Sequence, residues 1–118
     1  MKLVSAIACL VLSAVAHGKP IETWQCQQHS YDDWSNILVV ATVEEGRRSG
    51  EITVAGVTHT AIFQVEGFDR RWDFGTTDNP VRFAFIVQPN GDATYFDFRD
   101  GGTAKPSNFM FCRQRRAK

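Results

Sequence analysis

Residues 81–98 read VRFAFIVQPNGDATYFDF, two runs rich in aromatic and β-branched residues that flank Pro89-Asn90-Gly91-Asp92. Alternation of this kind around Asn-Gly is the strongest short-range signal for a β-hairpin, since both residues accept the positive φ of a type I′ turn. With Asn90-Gly91 as the two-residue turn, Phe85 falls opposite Phe96 and Phe83 opposite Phe98. One face of the hairpin is then four phenylalanines, and Arg82, Tyr95 and Asp97 occupy the other. The phenylalanine face is expected to be core, because strand side chains alternate between the two faces.

The same grammar extends in both directions. Apolar runs are separated by Gly, Asn, Asp, Pro and Ser, and no stretch keeps a helical period, which is the all-β pattern. Strands are expected over 21–27, 37–43, 51–54, 57–65, 68–74, 81–88, 93–98 and 108–114. A turn at Ala55-Gly56 sets Ile52 opposite His59 and Val54 opposite Val57. A turn at Glu66-Gly67 sets Phe63 opposite Arg70 and Ala61 opposite Trp72, so that Phe68, Arg70, Trp72 and Phe74 point inward and Asp69, Arg71 and Asp73 outward; a bulge at Gly67 within one long strand is the alternative. The run from Arg99 to Ser107, with Gly101, Gly102 and Pro106, reads as a long loop that crosses an open end.

At the N-terminus, Lys2, an apolar run from Leu3 to Leu12, and the small residues Ser13, Ala14 and Ala16 follow signal-peptide grammar. The run is shorter than the ~20 residues that span a bilayer. A leader over 1–16 is expected, with a cut after Gly18 as the variant, leaving a single β domain over 17–118 and no membrane span. Cys9 would leave with the leader, so Cys26 and Cys112 are the pair left to form a disulfide in an oxidising compartment, secreted or periplasmic. Seven or eight antiparallel strands tied first to last suggest a small meander barrel, with a β-sandwich as the alternative.

Thirteen basic residues balance thirteen acidic ones, so no general attraction to nucleic acid follows; Arg113, Arg115, Arg116 and Lys118 form a basic end that reads as a solvated tail or as a lure for an acidic partner. His17, His29 and His59 sit in no motif for nucleophilic catalysis. Asp32-Asp33 and Glu44-Glu45 fall in expected loops, and neither a metal set nor a cofactor motif is present. The expected function is a non-enzymatic binding module for an extracytoplasmic protein or a small amphipathic ligand. A small hydrolase or toxin is one competing class, and a self-associating surface component is another.

The binding candidates are Tyr31, Trp34, His59, Arg70 and Trp72. Tyr31 and Trp34 lie in a polar connection where turn chemistry does not call for aromatics, so they are either contact residues or, for Trp34, a plug at a barrel end. His59 and Arg70 come out inward. Either Arg70 reaches the rim and His59 bonds to backbone, or both line a pocket mouth with Phe63, Trp72 and Phe74.

Overall fold

The computed structural model describes residues 19–28, 34, 36–98 and 106–115. The expected leader, Tyr31 and most of the 99–107 loop lie outside them. Eight strands follow in order: β1 Pro20–Gln27, β2 Val39–Glu44, β3 Ser49–Val54, β4 Val57–Glu66, β5 Asp69–Phe74, β6 Phe83–Val87, β7 Asp92–Asp97 and β8 Pro106–Arg115. Each pairs antiparallel with its neighbour and β8 returns to β1, giving a closed meander barrel rather than a sandwich. No helix long and apolar enough to cross a membrane occurs among the described residues.

The seam is fixed by covalent chemistry. Cys26 pairs in register with Cys112 across β1 and β8, and their Cα atoms are 4.0 Å apart in a disulfide. Inside, an eight-stranded barrel is only wide enough for side chains to fill. Trp24, Val39, Val43, Ile52, Phe63, Trp72, Phe74, Phe85 and Val87 do so. Trp72 packs on Phe63 and Phe85, with ring centres at 5.1 and 6.2 Å. Its indole N–H crosses the interior to the Thr42 carbonyl at 2.8 Å. Gly50 makes that approach possible, because a β-carbon there would overlap the same carbonyl oxygen.

Two turns differ from the sequence expectation, with opposite consequences. In the β6–β7 hairpin the loop is three residues, Pro89 to Gly91: Gly91 N–H closes the turn on the Gln88 carbonyl at 2.9 Å, and Gln88 N–H bonds to the Asp92 carbonyl at 2.8 Å. Gly91 has φ +99° while Asn90 keeps a negative φ, the signature of a type I turn followed by a left-handed residue. Proline at the second turn position presets that geometry. Phe85 therefore faces Tyr95, and Ala84 faces Phe96. The one-residue slip moves all of β7 to the other face. Tyr95 packs against Phe74 and Phe83 inside, and Phe96 and Phe98 stack on each other outside, contrary to the four-phenylalanine core expected above.

In the β4–β5 hairpin the turn is Gly67-Phe68, so Phe63 faces Trp72 and Val65 faces Arg70. This slip is two residues, which leaves Arg70, Trp72 and Phe74 inward as expected. Phe68 alone changes place, to the turn tip at 83 % exposure. The Ala55-Gly56 turn is as expected, with Ile52 opposite His59.

Candidate functional site

The two ends of the interior have different chemistry. At the end holding the β2–β3, β4–β5 and β6–β7 turns, Glu22 on β1 faces Arg70 on β5, half a barrel away. Arg70 donates from Nε at 2.7 Å and from Nη2 at 3.0 Å, a bidentate pair. Arg47 adds a third bond at 3.2 Å, and the Trp24 indole N–H a fourth at 3.0 Å. The Arg70 guanidinium lies 5.1 Å from the Trp24 ring. Burial by itself would raise the Glu22 pKa, but the bonds from Arg70 and Trp24, the Arg70 charge and the Arg47 bond outweigh it and hold it at about 2. This network closes one end of the barrel.

At the other end His59 packs on Phe74 with ring centres 5.1 Å apart. Phe83 stacks on Tyr95 beside it, and Arg82 pairs with Asp97 at 3.2 Å. Burial pushes the Tyr95 hydroxyl pKa up, with the Asp97 charge adding to it. Val65 lies opposite Arg70 on β4, six residues along from His59. At ~3.3 Å per residue the two are about 20 Å apart. His59 and Arg70 both face inward, but they do not meet in one pocket mouth. Arg70 already holds a carboxylate, and Trp72 is wholly buried between the two ends.

Trp34 is on the outside of the barrel. Its ring lies 6.0 Å from Phe111, and the Arg113 guanidinium stacks 4.4 Å above it. Arg113 in turn donates from Nε and Nη2 to the Gln25 side-chain oxygen at 3.2 and 3.0 Å. This places Trp34 against the outer face of β8 instead of in a barrel end.

The exterior is two-sided. Over β3 and β4 the outward residues are mostly polar, as with Thr53 and Thr58, whose hydroxyls bond at 2.8 Å, and Ile62 is the exposed apolar exception. Over β6, β7 and β8 they include Ile86, Phe96, Phe98, Phe109 and Phe111 beside the polar Asp92, Thr94, Arg113 and Arg115; Phe109 is 67 % exposed and the other four apolar residues are half-buried. A groove of about 330 Å³ borders this side, lined by Arg71, Asp73, Asn79, Val81 and Phe98. Within it Arg71 donates from Nε to both Asp73 carboxylate oxygens at 3.1 Å, and its Nη2 lies 3.1 Å from Oδ1. No group of three potential metal ligands occurs among the described residues.

The aromatic side was hidden from the sequence by the β7 slip. The β8 part was legible, since Phe109, Phe111, Arg113 and Arg115 alternate on one face of any strand running through them. Comparisons of this chain with protein-family models, with curated proteins and with solved structures find no match.

Proposed function

We propose that the chain is a non-enzymatic extracytoplasmic binding module that engages a protein partner through the outer surface of β6–β8. The two-sided exterior carries this reading: Phe96, Phe98, Phe109 and Ile86 face outward on strands whose inward residues already fill a core. Contiguous apolar surface marks interaction sites, and here Phe109 is its exposed member with Phe96, Phe98 and Ile86 half-buried beside it. Buried side chains fill the interior between the Glu22 end and the Phe74 level, which favours an outer surface over a carried ligand. The disulfide and the expected leader together support an oxidising compartment.

A second reading, a small amphipathic ligand, is favoured by the groove at Arg71, Asp73, Val81 and Phe98, whose volume falls in the range of small-molecule sites. The two separate in an affinity capture from the native extracytoplasmic fraction with wild-type protein and the Phe109→Ser variant. A stoichiometric protein bound by the wild type and lost by the variant supports the first reading. A partner retained by the variant removes β8 from the surface, and a co-purifying small molecule favours the groove.

A further inference from the structure

Resting on that reading, we infer that the outer face of β8 is a recognition strip for an extended acidic segment of a protein partner, with Arg113 as its anchor. The outward residues of β8 are, in order, Phe109, Phe111, Arg113 and Arg115. Same-face residues recur every ~7 Å, so the row runs about 20 Å, aromatic at one end and cationic at the other. Its complement is one extended chain, apolar at one end and carboxylate-bearing at the other.

The arginines of the strip differ from those elsewhere. Arg47 and Arg70 pair with Glu22, Arg71 with Asp73 and Glu66, and Arg82 with Asp97. Among the described residues, Arg113 and Arg115 pair with no carboxylate, a condition shared with Arg48 in the β2–β3 turn. On the neighbouring strand the Asp92 carboxylate accepts from the Asn90 amide at 3.1 Å. Arg113 is nevertheless held, with Nε and one Nη2 hydrogen on Gln25 and its flat face on Trp34. The Nη1–Nη2 fork keeps its other donors, which match a carboxylate in bidentate geometry. A side chain ordered before the partner arrives loses little entropy on binding.

An extended protein segment fits the strip better than other anions do. Overall charge is balanced, thirteen against thirteen, so there is no basic field to draw in nucleic acid. A bilayer would be met by apolar and basic groups gathered at one end of the barrel, whereas these run in a line along its side.

The test is calorimetric titration of the whole protein with three probes: a short peptide carrying alternate leucines followed by alternate glutamates, its lysine-for-glutamate counterpart, and phosphatidylserine vesicles. The acidic peptide is expected to bind, more weakly at high salt, and the lysine peptide and vesicles not to bind. The double variant Arg113→Gln/Arg115→Gln should weaken binding about tenfold, as for two exposed charge pairs. Arg48→Gln, which removes an equally exposed charge elsewhere, should leave it unchanged. Equal loss with Arg48→Gln, binding of the lysine peptide, or binding of vesicles without the peptide would each overturn the proposal. In the capture experiment, loss of the partner by Phe109→Ser but not by the double arginine variant rejects acidic recognition and keeps the docking surface. Retention by both variants rejects the two together.

Discussion

Glu22 carries its charge almost out of solvent, and Arg70, Arg47 and Trp24 make that tolerable with four bonds. Its pKa falls from the ordinary 4.5 to about 2 on folding, so the folded state favours the ionised form. The stabilisation is therefore complete above pH 4.5 and is lost as pH falls through 2. It amounts to about 3 kcal/mol at neutral pH. Glu22→Gln should lower stability by about that much at pH 7 and flatten the acid limb of a stability–pH curve. An unchanged acid limb in the variant would assign acid sensitivity to other carboxylates. The inward direction of Arg70 was legible from strand parity alone. Its partner was not, because β1 and β5 are not neighbours in the sheet, and contacts across a lumen depend on strand tilt and barrel closure, which local patterns do not encode.

Among the elements, the hairpins show why some of the fold could be read and some could not. A slip of two residues at Gly67-Phe68 left every inward residue of β5 beyond the turn inward, whereas a slip of one at Pro89-Gly91 inverted β7. The discriminating residue was Pro89, which shifts the choice from a two-residue to a three-residue loop. Phe85→Ala should cost about 3 to 5 kcal/mol as a fully buried ring, and Phe96→Ala about 1 kcal/mol or less as an outward one. Equal losses in chemical denaturation would restore the two-residue register. The Ala55-Gly56 turn offers the opposite experiment. Ala55 holds φ +50° and Gly56 φ +86°, a conformation that costs an alanine about 1 kcal/mol and that asparagine tolerates. Ala55→Asn is expected to raise the thermal midpoint by a few degrees, and a lower midpoint would show that Ala55 is selected by packing.

For the whole molecule, closure was legible because Cys26 and Cys112 stand on the first and last strands of the β pattern, and the shape followed from closure. The seam between β1 and β8 is held by a ladder from Thr23–Arg115 to Gln27–Phe111, by the Arg113–Gln25 bridge and by the disulfide. The first two act only in the folded state, while the disulfide also acts on the unfolded chain by closing a loop with a sequence separation of 86. In the chain-entropy account that restriction stabilises the fold by about 4 to 5 kcal/mol. It is comparable with the total stability of many domains of this size. The double variant Cys26→Ala/Cys112→Ala is therefore expected to lose about 4 to 5 kcal/mol in urea and to unfold with a larger m-value, because its unfolded chain exposes more surface without the crosslink. Its barrel, where folded, should keep the same register, since the ladder and the Trp72–Thr42 bond do not involve sulfur. A loss below about 1 kcal/mol with an unchanged m-value would place the stabilisation in the ladder and the packed lumen instead of in the restriction of the unfolded state.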